Sequence, residues 1–259
     1  MWREIARQLP LEDTLYLADQ AHVPYGSRSL NEVREHSEGI TRFLLGWGAK
    51  IIVVACNTAS AAALHHLRRT FPDVPFVGME PAVKPAVERT RTGVVGVIAT
   101  QATFQGELFA SLLERYAGDV GVLIQACQGL VEAVEAGALD TPETEALLRH
   151  YLTPLIEAGA DQLVLGCTHY PFLRPLIERV VGAGLAVIDP APAVARQTER
   201  VLAQRGLETT RGCVSRHVFY TSGNLAAFAA MIKRLLPSIG EGAEVRAVRW
   251  REGQLEVEA

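Results

Sequence analysis

The chain has 259 residues, a formal net charge of −4, 49% hydrophobic residues and 21% charged residues, which is typical of a globular protein with one large domain or two small ones. This modest charge, with no dense run of lysine and arginine, gives no electrostatic reason to expect a nucleic-acid partner. No apolar run approaches the roughly 20 residues of a membrane helix and no signal-peptide core follows Met1, so we expect a cytoplasmic protein without a membrane partner.

Short aliphatic runs alternate with longer segments of helical period. This alternation is typical of an α/β fold with mainly parallel sheets covered by helices. Nine strands are predicted, at residues 14–18, 50–55, 75–79, 93–99, 120–125, 162–166, 186–188, 214–220 and 244–250. Helices are predicted to fill most of the gaps.

Two predicted strands are followed by polar groups suited to binding an anion. The turn Pro24-Tyr25-Gly26 follows the first strand and could present backbone amides and a phenol, although a plain turn is equally consistent with these residues. Thr100 follows the strand at 93–99. Its hydroxyl could bind a carboxylate, but capping of the next helix is the simpler interpretation of Thr100 alone.

Cys56 and Cys167 end two predicted strands in similar surroundings. Each follows an aliphatic run and a small residue, and each precedes hydrogen-bonding side chains and a helix-like stretch. The carboxyl ends of parallel strands form the usual ligand-binding edge of an α/β sheet. A helix N-terminus can lower the pKa of a nearby thiol below about 8.5, which would suit a base or a nucleophile. Either residue alone is equally consistent with a plain buried cysteine.

His169 and Glu135 are weaker candidates. His169 lies two residues after Cys167 and could orient or protonate groups beside that thiol, or be a capping or core histidine. Glu135 could point into a cleft, although a solvated helix face is favoured without further information. A Cys–His pair also serves cysteine hydrolases, but the second thiol would then be surplus.

The repeated strand–Cys–helix pattern predicts two similar α/β domains with the active site in the cleft between them. Proline-bearing joints at 79–81 and 189–192 mark the predicted crossings. One domain is therefore expected at residues 80–189, and the other, discontinuous, at 1–79 plus 190–259. The four cysteines, which include Cys127 and Cys213, show no close spacing, so we expect reduced thiols and no metal site.

From about Trp2 to about Leu236 the chain resembles glutamate racemases of the aspartate/glutamate racemase family. The segments that carry the resemblance are ACNTASA at 55–61 and GCTHYP at 166–171, with PYG at 24–26, GMEPA at 78–82 and GVIAT at 96–100 in the expected order. The first two are highly specific to that family.

The resemblance implies a cofactor-independent isomerase that interconverts L- and D-glutamate for bacterial cell-wall peptidoglycan. Cys56 and Cys167 would flank the α-carbon from opposite faces as alternating base and acid, and Glu135 and His169 would assist on the Cys167 side. Positions that would hold the substrate are Tyr25, Gly26, Asn57, Thr58, Thr168 and His169, to which we add Thr100. Family members commonly form homodimers.

Two alternatives remain open in the sequence, and a third is disfavoured. Another two-cysteine racemase could act on aspartate or a hydantoin, although the segment from Cys167 to Pro171 favours glutamate. A non-catalytic glutamate-binding or regulatory protein could retain the cleft without turnover. A pyridoxal enzyme would need a lysine for the imine, and the few lysines of the chain lie in no evident site.

One family motif does not appear. Family members begin with a strand and an Asp-Ser-Gly-x-Gly-Gly loop, whose aspartate assists the first cysteine and whose serine helps to hold substrate. Nothing before Trp2 matches this motif, so we expect Met1 to mark a start downstream of the natural one. We also expect lower stability, weaker activity, and a greater loss of proton abstraction by Cys56 than by Cys167.

Overall fold

The structure, a computed structural model, describes residues 1–105, 107–210, 212, 215–236 and 243–258. Within these residues the chain alternates strands and helices from end to end. The strands are β1 Thr14–Ala18, β2 Ile52–Val53, β3 Phe76–Val77, β4 Val94–Ala99, β5 Gly121–Ala126, β6 Gln162–Leu165, β7 Ala186–Ile188, β8 His217–Thr221, β9 Glu244–Arg251 and β10 Gln254–Val257. The α-helices are α1 Trp2–Gln8, α2 Leu30–Gly46, α3 Asn57–Thr70, α4 Val83–Arg89, α5 Gln101–Gln105, α6 Glu107–Tyr116, α7 Leu130–Glu135, α8 Pro142–Glu157, α9 Arg174–Val181, α10 Ala191–Arg205 and α11 Leu225–Leu235.

The strands form three sheets in which nearly all neighbours run parallel. One sheet has the order β5-β4-β6-β7, a second has β1-β8-β9-β10, and β2 pairs with β3 alone. The hairpin between β9 and β10 is antiparallel, whereas all other pairs are parallel. The predicted α/β class with mainly parallel sheets is therefore confirmed.

The central strands β4 and β6 are buried on both faces, as expected for a parallel sheet covered by helices. Leu163 and Leu165 face a core built with α7, α8 and α9, while Val164 faces a second core with α4 and α6. Consecutive β6 residues thus serve opposite cores. This double burial fixes the strand end that leads to Cys167.

Local sequence signals explain where the helices begin. Ser29 caps α2 through a reciprocal pair of hydrogen bonds with Glu32, a capping box. Thr141 caps α8, with Pro142 at its first position, where proline costs no hydrogen bond. No helix within the described ranges is long and apolar enough to cross a membrane.

Predicted and observed strands differ most at four places. The strands predicted at 50–55 and 75–79 are only two residues long, because pairing is confined to Ile52 with Phe76 and Val53 with Val77. The strand predicted from Val214 begins at His217, and Val214 lies outside the described residues. The hairpin strand β10 was not predicted. Its turn places Glu252 and Gly253 at positive φ, 48° and 78°. Glutamate is not a typical residue of such a turn, so the sequence did not mark a hairpin here.

Candidate active site

Cys56 sits where β2 ends and α3 begins. It is the N-cap of α3, and its Sγ accepts a hydrogen bond from the Ala59 backbone N–H at 3.5 Å. The expected helix N-terminus is therefore present, but the lowered pKa that it could have produced is not. Burial outweighs the helix and raises the pKa of the Cys56 thiol to about 11, and the charge of Cys167 adds to this rise.

Cys167 follows β6 after a glycine that the packing requires. A side chain at Gly166 would place its Cβ 2.8 Å from the Ile98 carbonyl oxygen and 2.8 Å from the Ala99 Cβ. Cys167 is 9% exposed. The helix-like stretch expected after Cys167 is a 3₁₀ turn, Tyr170–Leu173, that leads directly into α9 at Arg174. Cys167 is therefore not an N-cap as Cys56 is, and the two cysteines do not share the same helix-end geometry.

An imidazole–carboxylate pair stands beside Cys167. The Nδ1 atom of His169 lies 3.9 Å from Cys167 Sγ, and its Nε2 lies 2.7 Å from Glu135 Oε1. Burial disfavours the imidazolium, but the hydrogen bonds with Cys167 and Glu135 outweigh it and raise the pKa of His169 to about 10. The hydrogen bond from His169 also lowers the pKa of Glu135. Glu135 therefore lies in the site rather than on a solvated face.

Gln20 brings the loop after β1 to the same carboxylate. Its Nε2 donates to Glu135 Oε2 at 3.4 Å, and its Oε1 accepts from the Thr221 hydroxyl at 2.8 Å. Gln20 was not among the predicted site residues. Nothing in its local sequence distinguishes it, because both contacts come from distant parts of the chain.

Three threonine hydroxyls meet between α3 and the end of β4. Thr58 Oγ1 lies 2.8 Å from Thr100 Oγ1 and 3.2 Å from Thr103 Oγ1, and Thr100 and Thr103 are 3.0 Å apart. Thr58 and Thr100 were predicted as site residues. Thr103 was not, although its spacing of three residues from Thr100 places both at the start of α5.

Asn57 is buried with an unsatisfied side chain. It is 2% exposed, and its Nδ2 and Oδ1 atoms have no hydrogen-bond partner within the described part of the chain. Buried amide groups are nearly always hydrogen-bonded. The side chain next to Cys56 is therefore ready to bind a polar ligand. Thr168, between Cys167 and His169, is partly exposed.

The turn at 25–27 lies against Thr100. The Tyr25 hydroxyl donates to Asp19 Oδ2 at 2.7 Å, so the phenol is already engaged. A Cβ on Gly26 would lie 2.7 Å from the Thr100 Cβ. Only glycine permits this close approach, which joins the predicted anion-binding turn to the residues after β4.

The remaining cysteine predictions concern redox state and metals. Cys56, Cys127 and Cys167 are free thiols, and Cys213 lies outside the described residues. Burial, followed by the charge of Cys167, raises the pKa of Cys127. Where the structure describes the chain, no cluster of three or more His, Cys, Asp or Glu side chains could hold a metal ion.

Known proteins resemble this chain in sequence and in structure. A family model described as Asp/Glu/Hydantoin racemase matches residues 1–198. A glutamate racemase of Roseiflexus sp. strain RS-1 is 53% identical over 234 residues, which is 90% of this chain and 86% of the relative.

Solved structures agree with the sequence matches. A Bacillus anthracis glutamate racemase superposes with a TM-score of 0.84 at 30% identity, covering 98% of this chain and 93% of the other. The Escherichia coli glutamate racemase, solved with L-glutamate and the activator UDP-MurNAc-ala, gives 0.82 at 28% identity, covering 100% and 94%. The chain therefore belongs to the Asp/Glu/hydantoin racemase family, among the glutamate racemases, and is an isomerase.

Proposed function

We propose that this chain interconverts L- and D-glutamate by a two-thiol mechanism that needs no cofactor. The observation that carries the proposal is the pairing of two unlike thiols across one site. Cys56 lies two residues before Thr58, whose hydroxyl is 2.8 Å from that of Thr100 after β4, and Cys167 follows β6, which pairs with β4. This arrangement supports a site that the two thiols share, and the charge of Cys167, after burial, raises the pKa of Cys56. One thiol can then serve each face of a flat carbanion.

The proton balance of the reaction needs only these two groups. One cysteine, as thiolate, removes the α-proton and leaves the electron pair on the α-carbon. The opposite cysteine, as thiol, donates its proton to the other face, so the configuration inverts and the two cysteines exchange protonation states. The reverse direction uses the same groups in opposite roles.

The surrounding residues supply charge and hydrogen bonds for the carbanion. The partly buried imidazolium of His169, held by Glu135, can stabilise negative charge that develops beside Cys167. The unpartnered amide of Asn57 and the hydroxyls of Thr58, Thr100 and Thr168 offer hydrogen bonds to the carboxylates of the substrate. With the phenol of Tyr25 bound to Asp19, the turn at 25–26 would contact substrate through its backbone.

The domain prediction belongs to the same proposal. Strands between residues 94 and 188 form one sheet, which supports a domain at 80–189 and a discontinuous one at 1–79 plus 190–259. Contacts between the two proposed domains, such as Thr58 with Thr100 and Gln20 with Glu135, surround the thiols. The cleft between these domains would hold the substrate.

The choice of glutamate rests on the resemblance and on the relatives, one of which was solved with L-glutamate. The D-glutamate formed would supply peptidoglycan synthesis in the cytoplasm. Glutamate would be the small-molecule partner, and a homodimer the expected assembly.

Proton exchange tests the proposal directly. The chain is incubated with L- or D-glutamate in deuterated water, the α-proton signal is followed by NMR, and optical rotation is followed in parallel. Loss of the α-proton with inversion from both enantiomers is expected. Aspartate serves as the control substrate, for which exchange should be much slower. Glutamate binding without exchange would contradict the proposal and support a non-catalytic glutamate-binding protein.

A further inference from the structure

Asp19 is a buried carboxylate with four hydrogen-bond donors. It is 6% exposed and follows β1 directly. Its Oδ2 accepts from the Tyr25 hydroxyl at 2.7 Å and lies 2.9 Å from His22 Nδ1. Its Oδ1 accepts from Trp250 Nε1 at 2.7 Å and from the Ser222 hydroxyl at 2.8 Å. These five residues are the Asp19 cluster.

The charge state of Asp19 decides the direction of these hydrogen bonds. Burial favours the neutral acid, but the hydrogen bonds from Trp250, Tyr25, Ser222 and His22 outweigh burial and lower the pKa of Asp19. An ionised carboxylate only accepts hydrogen bonds. The Tyr25 hydroxyl must therefore donate to Asp19 and has no proton left for a ligand.

Close packing holds the indole ring of Trp250 in place. Its indole packs so closely on α2 that a Cβ at Gly39 would lie 2.7 Å from the ring. The same ring lies 5.5 Å from the ring of His36, centroid to centroid. The indole N–H is thus fixed in direction, although β9 belongs to the part of the chain in which the sequence showed no recognisable motif.

The Asp19 cluster connects with the candidate active site through Tyr25. Tyr25 starts the short turn that contains Gly26, and Gly26 touches Thr100. The tyrosine ring also packs in the small apolar cluster that includes Cys56. A shift of the phenol would therefore move the backbone at 25–26 relative to Thr100 and Cys56.

We propose that Asp19 and Trp250 are positioning residues for the substrate-binding turn. Trp250 fixes the carboxylate of Asp19, and Asp19 holds the phenol of Tyr25, so that the backbone at Tyr25 and Gly26 keeps its place opposite Thr100. This inference rests on the proposed racemase function. It adds a contribution to glutamate binding from the C-terminal hairpin.

Steady-state kinetics separates positioning from chemistry. Trp250→Phe keeps the packed ring but removes the N–H donor, and Asp19→Asn keeps the shape but removes the charge. We expect KM for both glutamate enantiomers to rise about fivefold in Trp250→Phe and at least about tenfold in Asp19→Asn, with kcat changed less than about twofold, because uniform binding is lost.

Trp47→Phe is the matched control, because Trp47 is 48% exposed at the end of α2. Its KM should stay unchanged. Unchanged KM in Trp250→Phe and Asp19→Asn, at unchanged melting temperature, would overturn the proposal, as would a fall in kcat alone.

A second measurement does not depend on turnover. Burial, and then the charge and hydrogen bond of Asp19, raise the pKa of Tyr25. In protein labelled with ¹³C at tyrosine Cζ, the Tyr25 signal is assigned by its loss in Tyr25→Phe and titrated with pH. The signal should titrate at lower pH in Asp19→Asn and Trp250→Phe than in the unaltered chain. The two proposals can fail separately. Absence of racemisation by the unaltered chain would refute the proposed function. An unchanged Tyr25 titration in the variants would refute the role of the Asp19 cluster in holding this turn.

Discussion

Cys56 and Cys167 carry the same chemical group in opposite settings. Cys56 ends a strand of two residues in a two-stranded sheet, and its described hydrogen-bond partner is the backbone N–H of Ala59. Cys167 follows the inner strand of a four-stranded sheet and stands beside the His169–Glu135 pair. An imidazole–carboxylate pair therefore stands beside the second thiol, whereas the first faces the start of a helix.

In the proposed mechanism, two matched functions therefore do not need matched surroundings. A racemase must favour neither enantiomer at equilibrium, so the ratio of kcat to KM must be equal in the two directions whatever the surroundings of each thiol. The asymmetry can appear only in individual steps. Experiments that isolate one thiol at a time are therefore the ones that can reveal it.

Removal of either thiol should have the largest effect. Cys56→Ser and Cys167→Ser are each expected to slow racemisation about 10³-fold, because general acid–base groups contribute about that factor. Each variant should still exchange the α-proton of one enantiomer, and the two variants should select opposite enantiomers. Exchange is measured by NMR in deuterated water. Exchange of the same enantiomer by both variants would contradict the assignment of the thiols to opposite faces.

The His169–Glu135 pair should affect proton exchange by Cys167 but not proton exchange by Cys56. In Cys56→Ser, where Cys167 is the remaining base, adding Glu135→Gln should slow exchange about 30-fold, because His169 loses the carboxylate that stabilises its charge. In Cys167→Ser, the same substitution should change exchange by less than about threefold. Glu132→Gln is the control, since Glu132 lies exposed on the same helix. Equal slowing of exchange in Cys56→Ser and in Cys167→Ser would contradict the prediction that the pair assists only Cys167.

At high pH, the rate of proton exchange should change with pH in opposite directions in Cys167→Ser and Cys56→Ser. In Cys167→Ser, exchange by Cys56 should rise about tenfold per pH unit from neutral pH up to the pKa of this thiol, because burial, the largest cause of its raised pKa, is still present when the charge of Cys167 is removed. In Cys56→Ser, exchange should fall above about pH 10, where His169 loses its proton. A flat profile for Cys56 between pH 7 and 10 would show that burial does not limit its ionisation.

The fold was largely readable from the sequence because buried parallel strands form continuous aliphatic runs. Strands β1 and β7 have the predicted bounds, β4, β6 and β9 differ from prediction by one residue at one end, and β5 is shifted by one residue. The overestimated lengths at β2 and β3 have the same cause, since a buried aliphatic run does not reveal how many residues pair. The hairpin to β10 was missed because its turn uses Glu252 at positive φ.

Some residues of the candidate site could likewise be predicted from the sequence, and others could not. Cys56 and Cys167 stood out because their local contexts repeat, and short motifs around them carried the resemblance. Asp19 and Trp250 are 231 positions apart, so no local pattern could join them. The direction of the pKa shift at Cys56 was also beyond local reasoning, because a helix start is visible in sequence whereas the depth of burial is a property of the whole fold.

The buried amide of Asn57, which has no hydrogen-bond partner within the described residues, would make the proposed site selective among ligands. A molecule that supplies both a donor and an acceptor to this amide relieves a desolvation cost of about 1–3 kcal/mol. A molecule of the same size with a methyl group in that place would leave the cost unrelieved. The proposed site would thus discriminate against apolar analogues through a buried hydrogen-bonding group that a zwitterionic amino acid can satisfy.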